Sequence, residues 1–297
     1  MTLGLGPVQV SDSELAGTIP DQPEVSARAW AIADGKTGEL LWGHDEDVPA
    51  KAASTTKMMT AWLVLKLIEE DESVLDEVVT FSKLADDTSG STADIREGES
   101  ISVRECLYGL LLPSGNDAGN ALAEHFNNRF APPQDATIRE GLETRARFIA
   151  EMNREAKRLG MDRTTYRSTF GDGGTSRDRT TTPRDLLTLA HNVMQNLRFR
   201  EYVGTRRYAT QVEKPDGTPH DVEWVNTNQL LGREGYNGIK TGTTSQAGAC
   251  LVSSGRRGED HLLVVVLGSA STPARYSDSK ALFDWAWSRR AQPSGSP

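Results

Sequence analysis

Ala53-Ser54-Thr55-Thr56-Lys57-Met58-Met59-Thr60 is the stretch from which this chain is best read. A serine stands three residues before a lysine, at the head of a run through Ala61, Leu63, Val64, Leu65, Leu67 and Ile68. The run stays apolar on nearly every side until Glu69-Glu70-Asp71, which predicts a buried central helix rather than a surface one. On a helix, positions i and i+3 share a face, so the Ser54 hydroxyl and the Lys57 amine point into the same space. A lysine with a lowered pKa can take the serine proton, which makes a nucleophile without histidine. A helix N-terminus adds free N–H groups and a dipole that favour developing negative charge.

Outward from this helix the chain reads as strands at both ends and helices between. Residues 1–24, rich in Gly, Pro, Ser and Asp, read as a flexible N-terminal arm. Residues 27–33 and 39–42 are strand candidates joined by a turn at 34–38, which makes a hairpin. A short strand is expected at 78–81, a polar loop over 85–100, and a helix from 103 to Pro113. Ser114-Gly115-Asn116-Asp117 reads as a turn before a helix over 118–126. Helices are expected over 140–159, closed by Gly160, and over 183–196, opened by Pro183. Strands return at 208–212 and 222–225, around Pro215-Asp216-Gly217. They continue at 248–253 and 261–268, joined by Gly255-Arg256-Arg257-Gly258. A closing helix spans 273–290, and 291–297 reads as a disordered tail.

This order predicts an α+β (mixed α/β) fold. One mostly antiparallel sheet, built from the N-terminal hairpin and the C-terminal strands, is covered by helices. A helical lobe, about 55–200, is inserted into the sheet lobe of a single domain over 25–290, with a cleft between them as the default site.

The totals narrow the function. The chain has 297 residues, 37% hydrophobic and 25% charged, an ordinary globular composition. A net charge of -9 without any long basic run argues against a nucleic-acid partner. Cys106 and Cys250 have no CxxC companion and read as two buried thiols. The five histidines form no ligand spacing, so no metal and no cofactor are expected. No stretch reaches the roughly 18 apolar residues of a membrane span, and residues 1–10 do not read as a signal peptide.

Ser54-x-x-Lys57 has an accidental copy, Ser277 to Lys280, expected on a surface helix. Lys36-Thr37-Gly38, in the first hairpin turn, likewise duplicates Lys240-Thr241-Gly242. Order and context separate the copies. Ser54-x-x-Lys57 opens the buried helix, Ser114-Gly115-Asn116 follows on a turn, and Lys240-Thr241-Gly242 stands before strands. That combination is known in penicillin-binding proteins and the related β-lactamases, with Ser-Asp-Asn as the usual middle motif.

With these motifs and their surroundings, Leu112-Pro113-Ser114-Gly115-Asn116-Asp117-Ala118, Asn226-Thr227-Asn228 with Leu230-Leu231, and Asn237-Gly238-Ile239-Lys240-Thr241-Gly242, the chain resembles a known family. It is similar to the low-molecular-mass penicillin-binding proteins, the serine D-alanyl-D-alanine carboxypeptidases of peptidase S11 type. The resemblance covers roughly residues 25–290 and implies the DD-peptidase/serine β-lactamase fold. It implies removal of the terminal D-alanine of peptidoglycan stem peptides through an acyl-Ser54 intermediate, in cell-wall metabolism outside the cytoplasm. It also implies acylation of Ser54 by β-lactam antibiotics, no cofactor, and a monomer or weak dimer. The signal peptide that an exported enzyme carries would then lie outside this chain.

By the same resemblance Ser54 is the nucleophile and Lys57 the general base, kept unprotonated by burial and by Lys240. Ser114 relays a proton to the leaving D-alanine nitrogen, and Asn116 binds the substrate's backbone. Lys240, Thr241 and Thr243 hold the terminal carboxylate alongside Gly242. The backbone N–H groups of Ser54 and Thr243 form the oxyanion hole.

Two departures stand out. Many relatives have Asn-Pro-x-Gly-Leu where this chain reads Phe170-Gly171-Asp172-Gly173-Gly174, and many have histidine in place of Thr243. The rival readings are a β-lactamase, an esterase on the same scaffold, and a non-catalytic sensor of penicillin or peptidoglycan. Against the first, no Glu-x-x-Leu-Asn lies between Ser114 and Lys240.

Overall fold

A computed structural model describes residues 22–133, 143–171 and 181–291. Strands β1 (Ala29–Asp34) and β2 (Leu40–His44) form the first hairpin. A 3-10 turn (Ala53–Thr56) leads directly into helix α1 (Lys57–Glu70). Next come β3 (Val78–Thr80), α2 (Lys83–Asp86), β4 (Ser100–Ser102), α3 (Val103–Leu111) and α4 (Asn116–Phe126). Then follow α5 (Ala146–Arg158), α6 (Pro183–Val193), α7 (Leu197–Gly204), β5 (Arg207–Glu213) and β6 (Pro219–Val225). The chain closes with β7 (Tyr236–Thr244), β8 (Gly248–Arg257), β9 (Asp260–Ser269) and α8 (Thr272–Ala291).

The expectation of one sheet is corrected to two. A five-stranded antiparallel sheet has the order β2-β1-β9-β8-β7, and a separate four-stranded one has the order β3-β4-β5-β6. The physical reason lies in the side-chain alternation. β5 and β6 are exposed at alternate positions and suit a sheet with one wet face. β1 and β9 are apolar on both faces and need cover on both.

That two-sided burial divides cleanly. Trp30, Ile32, Leu251, Leu262, Val264 and Val266 face the aromatic side of α8, with Phe283, Trp285 and Trp287. Ala31, Ala33, Val252, Leu263 and Val265 face the opposite way, into the core that holds Met58, Met59 and Leu65 of α1. The period of two along each strand puts successive residues into different cores.

Several element bounds differ from the sequence reading. The expected helix 183–196 is two helices, because Asn196 caps α7 by accepting from the Phe199 N–H. The short α2 and β4 overlap the two ends of the expected loop 85–100, and Ser82 and Ser102 cap α2 and α3. The described part of the expected helix 140–159 starts at Ala146. Asn116 opens α4 rather than sitting in a turn. Cys106 and Cys250 are both buried. The arm over 1–21 and the tail over 292–297 lie outside the described residues.

Candidate active site

The nucleophile motif is built by a local departure from helical geometry. Ala53 adopts a positive φ of 47°, so the backbone turns sharply just before Ser54. The Thr55 hydroxyl donates to the Ala52 carbonyl at 2.7 Å, and the Lys57 N–H reaches the Ser54 carbonyl. Ser54 therefore sits in the 3-10 turn and Lys57 is the first residue of α1. The Lys57 amine still lies 3.0 Å from Ser54 Oγ.

Ser114 also has a positive φ, 68°, and reaches both lysines. Its Oγ accepts from Lys240 Nζ at 2.9 Å and lies 3.3 Å from Lys57 Nζ. The side chains of Lys57, Ser114 and Lys240 are 0%, 4% and 1% exposed, so the cluster is shielded from bulk water. Burial is the chief cause pushing both lysines down. Lys57 falls well below the ordinary ammonium value, with the Lys240 charge adding and Asp117 opposing. Lys240 falls to about 7, with Arg275 adding to the effect of burial.

Asn116 has both ends of its amide engaged inside the protein. Its Oδ1 accepts from Lys57 Nζ at 2.6 Å, and its Nδ2 donates to the Ser89 carbonyl at 2.7 Å. The Phe170 carbonyl lies 3.5 Å from the same amine, with the Phe170 ring centroid 5.8 Å away. Phe170 thus belongs to the site, and Gly171 (φ +96°) lies against the Ala53 carbonyl. Residues 172–174 of the unusual loop lie outside the described residues.

The third motif arrives on β7, an edge strand of the five-stranded sheet. Gly242 is pressed against the nucleophile turn. A Cβ there would stand 2.9 Å from the Ser54 nitrogen and 3.1 Å from the Ala52 carbonyl oxygen. Only glycine lets the strand approach this closely. The Thr241 and Thr227 hydroxyls lie 2.7 Å apart, and the exposed Thr243 accepts from Arg275 Nη1 at 2.8 Å.

The structure thus brings together every residue singled out from the sequence, and it separates the accidental copies. Ser277 and Lys280 lie on α8, where Lys280 pairs with Asp284, and Lys36 lies at the β1–β2 turn.

Three residues of the site escaped sequence reasoning. Arg275 comes from α8 and reaches the Gly242 carbonyl and Thr243 across the sheet edge, with no local motif to mark it. The Phe170 carbonyl is backbone; its residue stood inside the quoted 170–174 departure, but no role at Lys57 was read from it. Asp117 stood inside a quoted stretch. It is 1% exposed, and its carboxylate accepts from the Ala93 N–H and the Thr92 hydroxyl, fastening that loop to the Ser114 turn.

Comparison with known proteins agrees with this geometry. A family model described as D-alanyl-D-alanine carboxypeptidase, Peptidase S11, matches residues 16–271. The D-alanyl-D-alanine carboxypeptidase of Streptomyces sp. (strain K15) is 33% identical over 279 residues, covering 91% of this chain and 90% of that protein. D-alanyl-D-alanine carboxypeptidase DacC of Escherichia coli (strain K12) is 31% identical, covering 90% of this chain and 62% of that one. The crystal structure of the Streptomyces K15 DD-transpeptidase superposes with a TM-score of 0.80 at 33% identity, covering 90% of this chain and 99% of that one. The carboxypeptidase DacD from Francisella tularensis gives a TM-score of 0.77 at 27% identity, covering 91% of this chain and 72% of that one.

Proposed function

The chain belongs to the D-alanyl-D-alanine carboxypeptidase family of serine peptidases, and we propose that its cleft runs that chemistry through a two-lysine relay. It is a serine D-Ala-D-Ala carboxypeptidase. In this reading Ser54 Oγ attacks the carbonyl of the penultimate D-alanine and gives its proton to Lys57. The D-alanine nitrogen leaves with a proton passed through Ser114, and water then hydrolyses the acyl-Ser54 ester.

The observation that carries the reading is the donor count at Lys57. A neutral amine has two hydrogens and one lone pair. Asn116 Oδ1 and the Phe170 carbonyl can only accept, so they take the two hydrogens. The lone pair is left for a hydroxyl that can donate, and of the two in reach Ser54 Oγ at 3.0 Å is nearer than Ser114 Oγ at 3.3 Å, which already accepts from Lys240. Asn116 acts here by orienting the base, rather than by binding the substrate's backbone.

Lys240, Thr241, Thr243 and Arg275 supply the charge and the hydroxyls for the terminal carboxylate. Gly242 lets β7 close on the Ser54 nitrogen, and in this reading the Ser54 and Thr243 N–H groups serve as the oxyanion hole. β-Lactams acylate the same serine. The substrate is a peptidoglycan stem peptide, which puts the site of action outside the cytoplasm. Among the described residues no helix is long and apolar enough to cross a membrane.

The test is release of D-alanine from a diacyl-Lys-D-Ala-D-Ala peptide. Wild type should turn over, and Ser54→Ala should lose at least about 10⁴-fold in kcat. No release with stable penicillin labelling would identify a sensor instead, and rapid penicillin loss a lactamase. A second reading, acyl transfer to an amine, is favoured by the name DD-transpeptidase that the Streptomyces K15 structure carries. Adding glycylglycine to the assay separates the two by the product formed.

A further inference from the structure

The Asn226-Thr227-Asn228 segment has no part in the relay, yet Thr227 stands at its edge. We infer that Thr227 is a specificity-determining residue, whose hydroxyl turns the Thr241 hydroxyl toward the substrate's terminal carboxylate. The inference rests on the carboxypeptidase reading above and deepens it.

Thr227 follows β6, is exposed, and lies against Thr241 of the third motif. Its backbone is held from two sides. The N–H donates to the Leu112 carbonyl at 3.1 Å, and the carbonyl accepts from the Tyr276 hydroxyl at 2.8 Å. Tyr276 in turn accepts from Arg275 Nη2 at 2.9 Å. These bonds fasten the segment to the second motif and to the Arg275 corner without using the side chain. Among the described residues the Thr227 hydroxyl meets Thr241 Oγ1, at 2.7 Å.

Two hydroxyls at this distance share one hydrogen between them. If Thr241 donates, its hydrogen is spent on Thr227 and it can offer a carboxylate nothing. If Thr227 donates, Thr241 accepts with a lone pair and keeps its own hydrogen free. A carboxylate accepts only, so it selects the second arrangement. The result is a directed chain, Thr227 to Thr241 to carboxylate, beside the cations Lys240 and Arg275. Each hydroxyl in such a chain polarises the next. A substrate ending in a carboxamide brings its own donors and does not select the arrangement.

The test pairs two variants with two matched ligand sets. Thr227→Val keeps the shape and removes the hydroxyl, while Thr227→Ser keeps the hydroxyl. On the free-acid peptide, Thr227→Val should lose about 10-fold in kcat/KM, mostly through KM. On the C-terminal amide of the same peptide it should lose under about 2-fold, and Thr227→Ser should restore the free-acid rate. The rate of Ser54 labelling by a penicillin, compared with its methyl ester, should show the same contrast. Equal losses on acid and amide, no loss on either, or failure of Thr227→Ser to rescue overturns the inference and leaves the carboxypeptidase reading intact. A wild type that neither releases D-alanine nor labels overturns both.

Discussion

At the scale of single residues, the site works because charges are held where water cannot reach them. Lys240, lowered by burial and Arg275 to about 7, loses its charge as pH rises through that value. The free enzyme's kcat/KM on carboxylate substrates should therefore fall above about pH 7. Arg275→Gln removes the repulsion, raises the Lys240 value and should move this alkaline limb to higher pH, even as overall activity drops. A pH–rate profile of both enzymes checks it. The same lysine has a stability consequence. Its folded value lies below the unfolded value of 10.5, so between about pH 7 and 10.5 the unfolded chain holds more protons and stability rises with pH. Urea midpoints at pH 7 and 9 should show this gain in wild type and a smaller one in Lys240→Met. Lys57→Met should abolish penicillin labelling of Ser54, because it removes the amine 3.0 Å from the nucleophile.

At the scale of elements, the nucleophile turn is wedged between two backbones that approach too closely for side chains. Gly171 at φ +96° would place a Cβ 2.0 Å from the Ala53 carbonyl oxygen. Gly171→Ala must push the 3-10 turn away or distort its own loop, at a cost of about 1–3 kcal/mol. Penicillin labelling should slow and Tm should fall together. The β8–β9 hairpin carries a separate pH device. His261 is buried with its Nε2 2.9 Å from Ser254 Oγ, and burial, with Arg256 nearby, lowers it to about 4. Between about pH 6.5 and 4 the unfolded chain takes a proton that the native one refuses, so stability falls as pH drops through that window. His261→Gln should flatten the decline of the urea midpoint over that range.

At the scale of the whole molecule, α1 belongs to both halves. Its Met58, Met59 and Leu65 share one continuous core with Ala31, Val252 and Val265 of the sheet and with Leu107, Leu122 and Phe148 of the helices. A cleft residue at the head of such a helix cannot move without disturbing both sides. Unfolding should accordingly be a single transition. Tryptophan fluorescence and far-ultraviolet circular dichroism should give coincident melting curves, and separated midpoints would show two independent lobes.

Local rules were enough to reveal the motifs, the central helix, the two outer strand groups and the α+β class. A period in the side chains, a cap or a turn residue is written within a few neighbours. Ser54, Lys57, Ser114 and Lys240 were legible because order and context distinguish them from their accidental copies. The division into two sheets was encoded too, in the half-exposed alternation of β5 and β6, but it needs pairing partners to be seen. Only the tertiary structure decided what surrounds the two lysines. Arg275 from α8, the Phe170 carbonyl and Thr227 converge on the cleft from separate parts of the chain, and no local period links them. Burial and proximity, the causes that lower both amines, exist only once distant segments meet.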